Sequence, residues 1–258
     1  MISIICVYNN EKILNDVLLK SLKHQTVSYE LITINNIDNK FKSAASAYNT
    51  NAKKVIGKYI LFVHQDIELD SNSWLEETER ILNNIPNLGI AGVAGAKEGK
   101  IYGYLNSEGH LWGSPFSTPI EVQTIDGCLI IIPNSVFKKQ QFDEIVFDGW
   151  HCYSDDYALS IKKTRLNTYV IPSFVYHRTL STNNKSLVKY LRRLYVRHKS
   201  IHKHIYIAGD GTEISIPKMF FMYMSPIYNT ILPKTIRNKI SPTINKIKKY
   251  VWNMTDIV

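Results

Sequence analysis

The sequence predicts an α/β fold whose first half is doubly wound. Three observations carry that prediction. Residues 2–7, 31–34 and 59–63 read as strands, and 59–63 is an apolar run without alternation, as in a strand buried on both faces. Helical periodicity fills the stretches between them, and a polar cluster follows each run directly. Right-handed crossovers then gather the three polar loops on one edge of the sheet, where ligands bind in open α/β folds.

After the first strand, Tyr8-Asn9-Asn10-Glu11 makes a polar turn. Ile13, Leu14, Val17, Leu18 and Leu22 follow at helical spacing, giving an amphipathic helix that ends near His24. The second strand runs into Asn35-Asn36-Ile37-Asp38-Asn39. An alanine-rich helix over residues 43–54, which includes Asn49, delivers the chain through Gly57-Lys58 to the central strand. That strand ends in His64-Gln65-Asp66-Ile67-Glu68-Leu69-Asp70. Asp66 is thereby a carboxylate at the mouth of a cleft, suited to a divalent cation bridging a diphosphate, since Mg²⁺ takes only one or two protein carboxylates. The other reading of this segment is a strand, a polar loop and a helix cap, with Asp70 or Ser71 capping a helix that starts near Trp74. The edge collects Tyr8, Asn9, Glu11, Asn36, Asp38, His64 and Asp66. No GxGxxG turn is present, which argues against a dinucleotide and leaves a cleft suited to one nucleotide.

Beyond the helix at residues 74–85, residues 89–95 read as a strand with close backbone approach, and 97–119 as a hairpin or mobile loops. The glycines here match no phosphate-loop spacing. Residues 125–132, beginning Ile125-Asp126-Gly127, read as one strand, and 134–139 as a short helix. Asp155-Asp156 open a helix predicted over 157–164, at whose N-terminus negative charge is favoured; alternatively Ser154 or Asp155 is simply its N-cap. Residues 168–171 form a strand, and 174–178 an extended segment that ends around His177, a residue more often structural than a ligand when it stands alone.

The chain of 258 residues carries a net charge of +9, unevenly spread. Residues 185–258 hold 14 Lys+Arg against 3 Asp+Glu, so the whole surplus is C-terminal. Residues 186–204 and 234–249 are basic amphipathic helices. One reading is contact with an anionic membrane surface or a lipid-linked acceptor; the other is packing on the core or on a second subunit. Nucleic acid is the poorer partner, since no nucleic-acid motif is present. The apolar stretch 219–232 contains Pro226 and Asn229 and falls short of the roughly 20 residues a span needs. Cys6, Cys128 and Cys152 show no metal spacing and are odd in number, which with the lack of a basic leader predicts a reducing, cytoplasmic location.

The order of these pieces resembles the GT-A fold glycosyltransferases of family 2. It comprises the Tyr-Asn and Glu turn, the Asn/Asp loop, the helix reaching Asn49, Gly57-Lys58-Tyr59 before an acidic triplet, Asp126-Gly127, Phe142-Asp143-Glu144, Asp155-Asp156 and a late His177. The resemblance covers about residues 1–180. It implies a GT-A domain over residues 1–184, with a Rossmann-like nucleotide-binding half and a mixed central sheet, and a basic helical extension over 185–258. It implies a transferase, of hexosyl type and inverting, that uses a nucleoside-diphosphate sugar and Mn²⁺ or Mg²⁺ to extend a surface glycan or glycolipid from the cytoplasmic face of a membrane. His64-Gln65-Asp66 stands where the family has DxD, with Asp66 and His177 as metal ligands and His64 replacing the first aspartate. Tyr8, Asn9, Glu11, Asn36, Asp38, Asn49, His64, Gln65 and Asp126 are implied to hold the nucleotide sugar. Asp156, the second member of the pair with Asp155, is implied as general base; where many relatives have a further aspartate, Ala158 stands. A catalytically silent GT-A domain that binds sugar nucleotide or glycan is the alternative.

Overall fold

A computed structural model describes residues 1–178, 186–209, 211, 213 and 214 of the chain. Strands β1 (Ile2–Tyr8), β2 (Glu30–Asn35) and β3 (Tyr59–His64) are parallel and lie side by side in the order β2-β1-β3. Ile60 and Phe62 of β3 join one core cluster with Ile5, Tyr48 and Phe137, while Leu61 and Val63 join another with Ile4, Leu18 and Trp74. Both faces are covered, so the strand has no polar face to alternate with. The first crossover is α1, helical over Glu11–Ile13, π-helical over Leu14–Leu19 and α-helical again over Lys20–Leu22. The second is α2 (Ala44–Asn51), where Ser43 caps by accepting the Ser46 N–H.

The central sheet has seven strands in the order β2-β1-β3-β11-β5-β12-β9. Its second half is built from β5 (Leu88–Gly92), β9 (Ile120–Val122), β11 (Leu129–Pro133) and β12 (Asn167–Val170). Because β11 runs antiparallel to β3, it begins where β3 ends, and His64 N–H bonds the Cys128 carbonyl at 2.9 Å. A second sheet holds β4 (Ile67–Leu69), β6 (Ala94–Lys97), β7 (Lys100–Ser107), β8 (His110–Gly113), β10 (Thr124–Ile125) and β13 (Val175–His177).

Several sequence expectations are corrected. Residues 67–69 form a strand, not a polar loop. The helix that follows, α3 (Trp74–Asn83), has Ser73 rather than Asp70 or Ser71 at its N-cap, with Ser73 Oγ bonded to Glu77. The apolar run 125–132 is split between two sheets at Asp126-Gly127-Cys128, where Asp126 Oδ1 accepts the Cys128 N–H at 2.8 Å and turns the chain. The segment 97–119 contains the β7–β8 hairpin. The helix 134–139 is the single turn α4 (Asn134–Phe137). The helix expected over 157–164 starts four residues earlier, as α5 (Tyr153–Ile161), behind Cys152 in a left-handed conformation (φ 61°).

Helix α6 (Leu187–His198) buries Tyr190, Leu191, Leu194 and His198; Tyr190, Leu191 and Leu194 join the same core cluster as Phe147 and Tyr157. Its basic side chains meet the protein's own carboxylates. Lys189 and Arg193 pair with Asp148, and Arg197 pairs with Asp143 and Asp156. This is the core packing of the second reading. The expected helix at 234–249 and the apolar stretch 219–232 lie outside the described residues.

Candidate active site

Strand register assembles the site. Val7 stands opposite His64 in the β1–β3 ladder, so the loops after both strands begin together. Gln65 locks them: its Oε1 accepts the N–H groups of Asn9 and Asn10, each at 3.0 Å, and its Nε2 donates to Asn9 Oδ1 at 2.8 Å. Immediately beyond, β4 pairs antiparallel with β13, matching Ile67 to His177, and the Arg178 N–H bonds the Asp66 carbonyl at 2.9 Å. A histidine 111 positions downstream thereby stands beside the carboxylate.

His64, Asp66 and His177 offer ligand atoms all within 4.8 Å of one another. His177 Nε2 lies 3.4 Å from Asp66 Oδ2, and the two imidazole centroids are 6.0 Å apart. Asp66 is 9% exposed and both histidines are half-buried. Burial lowers the pKa of His64, against the pull of Asp66. Burial also lowers His177, but its hydrogen bond to Asp66 and the charges of Asp66, Asp126 and Glu108 outweigh that and raise it overall. Two imidazole nitrogens and a carboxylate oxygen converging at one point fit a divalent cation.

A cavity of about 550 Å³ opens at this edge, lined among others by Tyr8, Asn9, Asn36, His64, Gln65 and Asp66. Asn36 is buried, and its amide is engaged by the Phe41 N–H (2.7 Å) and carbonyl (3.1 Å), so it shapes the loop behind the cavity. Four expected nucleotide contacts do not line it: Asp126, which belongs to a neighbouring cavity, and Glu11, Asp38 and Asn49. Glu11 lies exposed in the first turn of α1, which Asn10 caps. Asp38 is exposed in the turn closed by Asn39 N–H on the Asn36 carbonyl. The buried Asn49 amide is bonded to both the N–H and the carbonyl of Phe142, a tie between α2 and the loop before α5.

A second cavity of about 260 Å³ adjoins the first; His64, Trp150, His151 and Tyr153 line both. Asp126 and Asp155 belong to the second. Gly127 is required at its edge, since a Cβ there would meet Tyr153 Oη at 2.9 Å, the hydroxyl that donates to the Gly127 carbonyl. Asp155 is 8% exposed and accepts the Ala208 N–H at 3.3 Å. Its carboxyl is pushed up to about 7, first by burial and further by the charges of Asp126 and Asp156, with the hydrogen bonds opposing.

Asp156, the expected base, lines none of the described cavities. Its Oδ1 lies 2.9 Å from Arg197 Nε and 2.7 Å from Nε2 of the fully buried His198. Successive helical residues are about 100° apart around the axis, so adjacent carboxylates face different surroundings. Sequence reading also missed Lys42, Trp150, His151 and Tyr190 on the larger cavity. The aromatic run before Asp155 signalled Trp150 and His151. Tyr190 comes from α6 and fits against Gly149, where a Cβ would lie 2.1 Å from its hydroxyl; no local pattern announces that contact.

No curated protein sequence matches the chain. Among solved structures it resembles a mannosyltransferase, PcManGT from Pyrobaculum calidifontis in complex with GDP-Man and Mn²⁺, at 10% identity and TM-score 0.55, over 78% of this chain and 64% of that one. It also resembles S. aureus TarS, residues 1–349 (15%, TM-score 0.51, 76% and 64%), and GalNAc-T7 with UDP, GalNAc and Mn²⁺ (13%, TM-score 0.54, 93% and 54%). The chain thus spans less than two thirds of the length of each of these proteins. The shared architecture is the GT-A fold. Residues 3–193 match the model of a glycosyltransferase-like family, and with three quarters of its length inside that match the chain belongs to that family.

Proposed function

We propose that the chain transfers a sugar from a nucleoside-diphosphate sugar to an acceptor hydroxyl, with the donor in the larger cavity and the acceptor in the smaller. The observation that carries this reading is that Asp66 lines one cavity, Asp155 the other, and the two share a wall. The structural neighbours whose names include GDP-Man, UDP-GlcNAc or UDP support a donor of this class. The basic surplus of residues 185–258, apart from Lys189, Arg193 and Arg197, which pair with Asp143, Asp148 and Asp156, supports a glycan or lipid-linked acceptor at an anionic membrane surface, and a role in building surface polysaccharide or glycolipid. Among the described residues no helix is long and apolar enough to cross a membrane.

His64, Asp66 and His177 would hold a divalent cation, which when bound supplies Lewis-acid neutralisation of charge on the leaving diphosphate. Asp155 replaces Asp156 as general base. A carboxyl with a pKa near the working pH can accept a proton from the attacking hydroxyl, and Asp155 alone of the pair reaches a cavity. The acceptor oxygen attacks the anomeric carbon as the bond to the diphosphate breaks, its proton passes to Asp155, and the configuration inverts in one displacement. Tyr8 and Asn9 contact the nucleoside, with Asn9 held in place by Gln65.

The test is thermal shift against a panel of nucleoside diphosphates with and without Mn²⁺, joined to turnover of the corresponding nucleotide sugars, for the wild type, Asp66→Ala and Asp155→Asn. A ligand bound only by the folded state raises its stability. One nucleotide should stabilise the wild type in a metal-dependent manner that Asp66→Ala abolishes, and turnover should vanish in Asp155→Asn. Nucleotide binding without turnover of any sugar would sink the enzyme reading in favour of a silent binding module.

A further inference from the structure

We infer that the cation site uses three protein ligands, with His64 as the third, and that this imidazole makes the site select Mn²⁺, Co²⁺ or Zn²⁺ over Mg²⁺. The inference deepens the transferase reading and rests on it only in giving the cation its role at the diphosphate. Asp66 and His177 alone would offer one oxygen and one nitrogen. The nitrogen of His64, a residue on the wall common to both cavities, lies with them in a group spanning at most 4.8 Å. Ligands about 2.0–2.2 Å from one ion lie up to about 4.4 Å apart when trans and about 3–3.5 Å apart otherwise, so closure takes side-chain rotation of about an ångström.

The three backbones are fixed before any ion arrives. His64 is the last residue of β3, paired with Val7 and bonded through its N–H to Cys128. His177 is held between Ile67 of β4 and Ser107 of β7, and the Asp66 carbonyl is bonded by Arg178. Ligands carried on paired strands lose little freedom on binding, whereas a side chain on a loop would. The donor chemistry then sets the preference. Mg²⁺ is a hard ion that keeps oxygen ligands and water in near-ideal octahedra, and imidazole replaces those poorly. Transition ions accept imidazole readily, with affinity rising from Mn²⁺ to Co²⁺. A further consequence is a division of labour: with His64 on the ion, ribose and phosphate contacts fall to other groups lining the larger cavity, among them Asn9 and Lys42.

The test uses the purified full chain without nucleotide, so its outcome is independent of transfer activity. Mn²⁺ binding by electron paramagnetic resonance, Mg²⁺ competition for it, and the visible absorption of added Co²⁺ are measured for the wild type, His64→Asp and His64→Asn, each checked for folding by circular dichroism. In the wild type Co²⁺ should bind more tightly than Mn²⁺, and Mg²⁺ at least about tenfold more weakly than either, the order set by donor type. In His64→Asp the gap between Mn²⁺ and Mg²⁺ should close. In His64→Asn, which keeps a polar side chain but offers no imidazole, Mn²⁺ affinity should fall and the Co²⁺ absorption should change. Mg²⁺ binding as tightly as Mn²⁺ to the wild type, a selectivity unchanged by both substitutions, or no cation binding at all would each overturn the inference. In that last case sugar transfer in the presence of chelator would leave the transferase reading standing, which separates the two.

Discussion

Asp155 and Asp156 are neighbours in the chain and both are buried, yet one faces a cavity and the other faces Arg197 and His198. Asp155 accepts backbone N–H groups, that of Ala208 among them, and its carboxyl is pushed up to about 7 by burial. Asp156 is compensated by Arg197 and His198 from α6. Burial therefore has opposite meanings one residue apart. Without a counter-charge it raises a carboxyl pKa into the range useful for proton transfer, and with one it makes a structural ion pair. The helix, by sending consecutive side chains in different directions, separates reactivity from anchorage.

The largest expected effect tests that separation. Asp155→Asn removes the proposed proton acceptor with almost no change of shape and should lower kcat by about 10²- to 10⁴-fold, the usual contribution of a general base. Asp156→Asn, compared at equal folded fraction, should keep most of the turnover. The reverse pattern would break the comparison and return the base to Asp156. Asp156→Ala then tests anchorage. Leaving Arg197 and the buried His198 without their carboxylate should cost about 3 kcal/mol in urea unfolding, the low end for a broken buried pair because Arg197 is partly in water. A loss below about 1 kcal/mol would mean that α6 is not fastened there.

A third effect appears as pH dependence. The folded Asp155 pKa is raised from 3.8 to about 7, so between those values the native state holds a proton that the unfolded chain has released. Stability should therefore fall as pH rises from about 4 to 7, and Asp155→Asn should flatten that slope. For the same reason kcat/KM should rise with pH through a midpoint near 7 as the carboxyl becomes a base. A midpoint near 4 would show that Asp155 ionises as an ordinary carboxyl and does not set the profile.

What the sequence could disclose follows from the range of the interactions involved. Strands β1 and β3 were legible because burial on both faces leaves nearly continuous apolar runs, the edge strand β2 because a short apolar run ends in an Asn/Asp loop, and the place of Asp66 because a polar cluster ends the run of β3. The strand Ile67–Leu69 was not, since three residues with Glu68 in the middle show no period. The start of α5 was hidden because Cys152 precedes it in a left-handed conformation that glycine or asparagine would have advertised. That four-residue error hid the helix phase as well, and with it the choice between Asp155 and Asp156. His177 became meaningful only through its pairing with Ile67, a contact set by register across 110 positions. Glu11 and Asp38 fall outside the lining of the larger cavity for the opposite reason: the right strand ends were identified, but a local helix start and a turn leave both residues exposed.

The smallest expected effect sharpens the comparison by repeating it along one helix. Near its start α6 meets Asp148 through Lys189 at 3.3 Å, Arg193 at 2.6 Å and the Tyr190 hydroxyl at 2.9 Å; at its end it meets Asp156. The Asp148 carboxyl is held down to about 2, chiefly by its hydrogen bond from Arg193, but its side chain is 46% exposed and that of Lys189 is 51% exposed. Water and salt screen such a pair, so the low pKa does not convert into comparable stability. Lys189→Ala should lower stability by no more than about 1 kcal/mol at low salt, and by less still at high ionic strength. The Asp156→Ala loss should persist at the same ionic strength, because the His198 side of that pair is closed to solvent. Unfolding both variants at low and high salt therefore separates a contact made in water from one made inside the protein. Equal salt sensitivity at the two ends would show that the inner contact is hydrated after all, and would remove the physical ground for treating the two aspartates differently.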